Sequence, residues 1–361
     1  MRPLIFKAYP HLEQLPWIEL GAFPTPIQKL EAFGEAEGFP QLYVKRDDQS
    51  SSLYGGNKVR KLEFVLADAK RKGRKTLIAT GGVGSNQVLA SGIHGKQAGF
   101  KVVGAVMNQI NANYVRRNLL LDHYYDIDLY YAPNMSFLYF AVTYQFLKHF
   151  LMGNKPYFIP PGASSPLGNI GFVNAVFELK QQVDEGIMPE PQYIIAPAGT
   201  MGTVSGLEVG CRLAGMHTRL VAVRVAMYSV ERLVSVINRL GEFLRKIDLS
   251  APPIHVTAGD VILLEDYLGE GYAAFTELGV RAVQRMRELE GVTLDTTYTG
   301  KALGGGLNWL QKQGLQNSVV LFWNTYNSVD LTHLIQEVDY HQLPKSFHQY
   351  FEKPTQEEVF R

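Results

Sequence analysis

Short apolar runs of strand length alternate with amphipathic stretches along nearly the whole chain, and this alternation leaves few architectures open. A mostly parallel sheet with helices on both faces is the economical solution, so the fold class is α/β with open, twisted sheets. Leu42–Lys45, Thr76–Ala79, Lys101–Val106, Asp128–Tyr131, Tyr193–Ala196, Val221–Val225, Leu294–Thr296 and Val319–Phe322 read as strands. Between them, Val59–Lys72, a stretch starting near Ser85, Tyr114–Tyr125, Met135–Met152, Asn169–Glu185, Thr203–Leu213 and Lys301–Gln313 read as helices. In the first of these, Val59, Leu62, Val65, Leu66 and Ala69 recur at helical spacing. The aromatic residues of Met135–Met152 suit core or interface packing better than a cofactor pocket. At 361 residues the chain is long for one core and suits two domains. The last stretch, Lys353–Arg361, reads as a loosely held tail.

The charge balance narrows the partners. A formal net charge of +1 gives no sign of a nucleic-acid or membrane surface. No apolar run is long enough to span a bilayer, and the first ten residues have no sustained apolar core, so a cytoplasmic protein is expected. One cysteine, Cys211, excludes an intramolecular disulfide and a Cys-rich metal site. No metal is expected.

Four segments could carry chemistry. In Gly55-Gly56-Asn57-Lys58 the glycines permit positive φ and Asn57 suits an N-cap, which puts Lys58 in the first turn of a helix. There the helix dipole disfavours an ammonium and favours a nucleophilic amine, whereas Lys61, one turn on, can point to solvent. Read by itself, the segment is better explained as a capped helix with surface lysines. Thr80-Gly-Gly-Val-Gly-Ser85-Asn86-Gln87 is a strand-to-helix turn whose amides could hold a carboxylate, or in which Ser85 only caps the helix. In Gly199-Thr200-Met201-Gly202-Thr203, successive amides suit a monophosphate; the segment lacks the Gly-Lys-Ser/Thr of a nucleotide loop and the spaced glycines of a dinucleotide site. Finally, Tyr298-Thr299-Gly300-Lys301-Ala302 lies where a strand would turn into a helix, with a second phenol at Tyr272; a buried tyrosine and a capping threonine would explain these as well.

In this order the segments resemble the 1-aminocyclopropane-1-carboxylate (ACC) deaminase and D-cysteine desulfhydrase family, pyridoxal-5′-phosphate (PLP) enzymes of fold type II. The likeness runs from about Pro24 to about Trp323. It also takes in Lys45-Arg46-Asp47-Asp48, Asn118–Asp122 and Ile159–Ala163. It implies that Lys58 carries PLP as a Schiff base and moves protons, that Gly199–Thr203 holds the phosphate, and that Asn86 bonds the pyridine O3′. Ser85, Asn86 and Gln87 would bind the substrate carboxylate, Tyr298 and Tyr272 would be the active-site phenols, and Thr299 would face the pyridine nitrogen. A large domain (1–58 plus 161–361) and a small one (59–160) with PLP in the cleft between them, assembled as a homodimer, are further implications.

Within the family, deaminases resemble one another in having Glu at the position of Thr299, which keeps the pyridine nitrogen protonated for ring opening. A neutral Thr299 suits α,β-elimination, as in release of sulfide from D-cysteine to give pyruvate and ammonia. Gln87 is the deaminase-like choice, where desulfhydrases tend to have His. Asn324-Thr325-Tyr326-Asn327 departs from the family's His-Thr-Gly-Gly and suggests a different pocket wall. D-cysteine desulfhydrase chemistry is thus the first expectation and ACC deamination the second. A non-catalytic PLP-binding protein and a β-replacement synthase are weaker alternatives.

Overall fold

The computed structural model describes residues 2–359. Its strands are β1 (Ile27–Lys29), β2 (Leu42–Lys45), β3 (Thr76–Gly82), β4 (Lys101–Met107), β5 (Asp128–Ala132), β6 (Pro156–Ile159), β7 (Tyr193–Ala198), β8 (Arg219–Arg224), β9 (Ile262–Leu264) and β10 (Val320–Trp323). The helices are α1 (Ile5–Ala8), α2 (Glu31–Glu37), α3 (Asn57–Arg71), α4 (Asn86–Gln97), α5 (Asn113–Tyr124), α6 (Met135–Leu151), α7 (Pro166–Asp184), α8 (Gly202–Leu213), α9 (Val230–Ile247), α10 (Glu277–Glu290), α11 (Thr299–Lys312), α12 (Gln349–Glu352) and α13 (Gln356–Val359). No described helix is long and apolar enough to cross a membrane.

Two compact units divide the chain. One comprises Met1–Phe64 and Ser164–Ser328; the other comprises Val65–Ala163 and Val329–Arg361. Residues 329–359, which the resemblance implies lie in the large domain, cluster instead with the second unit.

The first unit holds a six-stranded sheet in the order β1-β2-β10-β7-β8-β9, parallel except for β1. All six residues of β7 are buried, as a strand covered on both faces requires. Alternation sends Ile194 and Ala196 into a core with α7, α8 and α9, and Tyr193 and Ile195 into a second core with α10 and α11. Parallel strands bring their carboxyl ends to one edge, so the loops after β2, β7 and β10 share that edge. The second unit has a four-stranded parallel sheet in the order β5-β4-β3-β6.

Leu294–Thr296 is not a strand. Its alternating residues mimic one, but the Asp295 carboxylate accepts the backbone N–H groups of Thr297, Tyr298 and Thr299, which turns the chain into α11. The strand at that edge of the sheet is β9 instead. The tail also departs from expectation: Gln356–Val359 is helical, and Gln356 N–H bonds to the Asn111 carbonyl.

A buried ion cluster fixes the start of α3. Arg60 donates to Asp47 through Nε and Nη2, both at 2.8 Å, and to both oxygens of Glu178 at 2.9 Å. Asp47 also accepts from Thr25 Oγ1 at 2.7 Å and Trp323 Nε1 at 2.7 Å. Burial alone would push the Asp47 carboxyl up, but the Arg60 guanidinium outweighs it and holds the group below the usual range. Removing one member leaves buried charges without compensation. Arg60→Met is therefore expected to lower unfolding free energy by about 3–5 kcal/mol, read from the urea midpoint. Because the Asp47 carboxyl is depressed, its contribution stands above about pH 4 and fades as pH falls further, so the gap between variant and wild type should narrow in acid.

Candidate active site

Helix α3 begins at Asn57, one residue before the start expected with Asn57 as its cap. Gly56 precedes it at φ 88°, and a Cβ there would lie 2.8 Å from the Thr325 carbonyl, so glycine is required on both counts. Asn57 N–H bonds to that carbonyl at 3.1 Å, and Asn327 Oδ1 accepts Gly55 N–H at 2.7 Å. Asn327, at a position where the resemblance implies glycine, thus braces with its side chain the loop that presents Lys58. Asn57 Nδ2 donates to Thr203 Oγ1 and its Oδ1 accepts from Lys58 Nζ, each at 3.1 Å. Burial lowers the Lys58 pKa to about 8, with Asp295 acting in the opposite sense. Such an amine has a substantial uncharged fraction at neutral pH and can act as nucleophile or base.

Lys61 does not point to solvent. It is buried, and its Nζ donates to Ser164 Oγ at 3.2 Å. Burial and, secondarily, the Lys58 charge hold its pKa well below the ordinary value. The Ser164 and Thr200 hydroxyls are bonded at 2.6 Å. A Cβ on Gly202 would meet Ser164 Oγ at 2.2 Å, Asn169 Oδ1 at 2.5 Å and Lys61 Nζ at 2.7 Å, so polar atoms converge where α8 begins. Met201 takes a left-handed φ of 66° as the chain enters α8, which has no side-chain cap hydrogen bond at its start. Gly199, Thr200, Met201, Gly202 and Thr203 therefore gather, with Lys61, a cradle of amides, hydroxyls and one buried amine whose geometry could hold an anion. The i, i+3 spacing from Lys58 was the available signal for Lys61.

Tyr298 and Tyr272 come together: their hydroxyls are hydrogen-bonded and their rings lie 6.0 Å apart. Tyr298 also flanks the cradle, 3.7 Å from the Cβ position of Gly199. Burial raises the Tyr272 pKa, with the bond to Tyr298 opposing, so this phenol keeps its proton near neutral pH. Lys301 anchors the loop before Tyr272 by donating to the Leu268 carbonyl at 2.6 Å and the Gly271 carbonyl at 3.3 Å. Thr299 is fully buried. Its Oγ1 donates to Asp295 Oδ1 at 2.5 Å and accepts Asp295 N–H at 2.8 Å. Asp295, to which the sequence pattern gave no role, therefore governs Thr299 and also acts on Lys58.

The Ser85 turn lies in the second unit. Ser85 is the N-cap of α4, accepting N–H from Gln87 at 3.2 Å and Val88 at 3.4 Å. A hydroxyl so used still has its proton to donate. Asn118 Nδ2 donates to the Gly84 carbonyl and to Asn86 Oδ1, at 2.9 and 3.0 Å, which orients the Asn86 carboxamide. Gln87 is buried, and its Nε2 bonds to Ser91 within α4 at 2.7 Å.

Residues 18–325 match the family described as pyridoxal-phosphate dependent enzyme. A crystal structure of an ACC deaminase homologue is similar with a TM-score of 0.78 and 30% identity, over 95% of this chain and 98% of that one. A point mutant of O-ureido-L-serine synthase, bound to O-ureido-L-serine, is similar at a TM-score of 0.58 and 16% identity, over 93% and 97% of the two chains. The processed form of threonine deaminase isoform 2 from Solanum lycopersicum follows at 0.57 and 13%, over 97% and 86%. The last two show the fold.

The first unit suits PLP. A phosphate beside Gly202 would meet the Ser164 and Thr200 hydroxyls and offset the burial of the Lys61 amine, whose Nζ lies 2.7 Å from the Cβ position of that glycine. Lys61→Met should weaken PLP retention roughly ten- to a hundredfold, the worth of a charged hydrogen bond, as measured by dialysis and residual absorbance; unchanged retention would remove Lys61 from the cradle. The rate of PLP attachment should rise with pH and level off above about 8, following the Lys58 amine. Asp295→Asn removes the influence that raises this pKa and should move the midpoint lower. On the family match and the architecture, the chain belongs to the pyridoxal-phosphate-dependent enzymes of fold type II.

Proposed function

We propose that this chain is a cytoplasmic lyase acting on a small amino acid, with D-cysteine desulfhydrase-like elimination as its reaction. D-cysteine and water would give pyruvate, ammonia and hydrogen sulfide. The observation that carries this reading is Thr299, a neutral side chain at the position assigned to the pyridine nitrogen. PLP, when bound, supplies an electron sink for the charge left at Cα. Lys58, with its pKa lowered by burial to about 8, is the base that takes the Cα proton. Tyr272 and Tyr298, hydrogen-bonded to each other, are assigned the transfer of a proton to the departing sulfur. Ser85 and the first amides of α4, with Asn86 and Gln87, are assigned the substrate carboxylate. Gly199–Thr203 and Lys61 are assigned the phosphate.

ACC deamination is a second reading, and one observation favours it. The Thr299 hydroxyl gives its proton to Asp295 and accepts Asp295 N–H, so only a lone pair is left to present. A lone pair backed by a carboxylate favours a protonated ring nitrogen, as ring opening needs. Pyruvate formation from D-cysteine, L-cysteine, D-serine and ACC distinguishes the readings. Turnover of D-cysteine without ACC is expected, and turnover of ACC alone would replace the first reading by the second. A bound-PLP absorption band that no amino acid perturbs would favour a non-catalytic binding protein. Lys58→Ala should lower turnover by about 10²–10⁴-fold, the range for loss of a proton-transfer group.

We further infer a homodimer formed through α6. Phe137, Tyr139, Phe140, Tyr144, Phe150 and Leu151 are each more than half exposed, whereas Gln145 and His149 are buried. At about 200 Å² per large side chain the exposed area is of the order of 800 Å², more than a monomer usually shows and about one partner's share of a stable interface. Lys148 is the only acidic or basic residue from Met135 to Met152, apart from His149, which suits a self-complementary apolar contact. Light scattering after gel filtration should give about twice the 40.4 kDa of the chain, and Phe140→Glu with Tyr144→Lys should give the monomer. A monomeric wild type would sink the inference.

A further inference from the structure

We propose that the C-terminal segment is a strap that positions the Ser85 turn for substrate. The proposal rests on the reading of that turn as the carboxylate site. The segment lies beyond residue 325, where the family match ends.

Helix α5 starts at Asn113, and its cap residue, Ala112, has no side chain that can accept a hydrogen bond. The strap supplies the acceptor: both carboxylate oxygens of Glu357 take Asn113 N–H at 3.1 Å. A carboxylate there also complements the helix dipole. Asn111, in the loop before α5, donates to the carbonyls of Tyr350, Lys353 and Pro354 at 2.9, 3.0 and 3.1 Å. Arg116 donates to the Tyr350 and Lys353 carbonyls at 2.8 and 2.7 Å. The buried Tyr350 places its phenol against Asn108 and accepts the backbone N–H of Gln109.

The same loop and helix grip the turn from their other side. Gln109 Oε1 accepts Gly84 N–H at 3.2 Å, and its Nε2 donates to Tyr114 at 2.9 Å. Asn118 of α5 holds the Gly84 carbonyl and Asn86. The Gly84 amide is thus held by Gln109, whose own backbone N–H bonds to Tyr350, and its carbonyl by Asn118, which belongs to the helix whose first N–H Glu357 caps. A looser strap would leave the turn more states to lose when it closes on a carboxylate, which weakens binding without altering the chemical step. Glu357 and Asn111 are positioning residues in this scheme.

Amide hydrogen exchange and steady-state kinetics together test it. In Asn111→Ala and Glu357→Ala, exchange over residues 82–88 of the PLP-loaded protein without amino acid should quicken about tenfold. KM for the amino-acid substrate should rise about tenfold, as loss of one or two hydrogen bonds would give, with kcat within about twofold and PLP retention unchanged. Glu357→Gln keeps an acceptor and should restore most of both. Unchanged exchange at 82–88 would overturn the strap. Faster exchange with unchanged KM would instead overturn the carboxylate role of the turn. A loss of kcat and PLP retention together with KM would mark a general structural defect and overturn the proposal too.

Discussion

Three cations crowd the first turns of α3, and how each is compensated organises the first unit. Arg60 meets Asp47 and Glu178, and the network reaches Thr25 and Trp323, so the N-terminal segment, β10 and α7 converge on one guanidinium. Two planar bidentate contacts suit arginine and would not suit lysine. Lys61, one residue later, has a hydroxyl partner in Ser164 and a strongly lowered pKa, because burial is not offset by a nearby carboxylate. Lys58 lies between these extremes, with Asp295 partly opposing the effect of burial. The helix thus holds one cation firmly and leaves two whose charge state responds to an incoming group.

That gradation has a chemical use. A phosphate held there would compensate Lys61 and remove part of the penalty of burying it, which would link cofactor binding to local stability. Lys58 needs the reverse, an environment that keeps its amine reactive, and a fully paired lysine would not serve. On the proposed assignment, placing the two one helical turn apart would let one α-helix serve both the phosphate and the Schiff base. The loop before that helix gains rigidity from the Thr325 carbonyl, which holds Asn57, and from the Asn327 side chain, which holds Gly55 as a glycine could not.

Much of this was legible locally. Gly55–Lys58, Gly199–Thr203 and Ser85–Gln87 announced themselves because turn chemistry and helix starts are short-range, and most strands followed from apolar runs. Three features were not. The burial of Lys61 depends on Ser164 and Gly202, both more than a hundred residues away in sequence, and a lysine at a helical position looks the same whether covered or not. Leu294–Thr296 has a strand-like pattern, and only the hydrogen bonds of the Asp295 side chain reveal a turn. The tail has few apolar residues, yet Tyr350 and Thr355 are buried and its carbonyls are taken by Asn111 and Arg116. Its order comes from polar groups of distant residues, which no periodicity records.

Asp295 shows why residue identity at one position does not by itself set the reaction. Thr299 is neutral, and on that ground the ring nitrogen opposite it would stay unprotonated. Its hydroxyl, however, spends its proton on a carboxylate and receives the N–H of the same residue, so its character toward a third group is that of an acceptor. Threonine linked to aspartate can thus approach the electrostatic effect of a glutamate without placing a charge on the ring. How far it does so depends on whether the Asp295 charge is already spent, and three backbone N–H groups draw on it. A carboxylate that caps a helix has less negative potential to offer through its neighbour. On the proposed assignment of Thr299 to the ring nitrogen, the helix α11 N-terminus, rather than Thr299 in isolation, would balance strong against weak electron withdrawal.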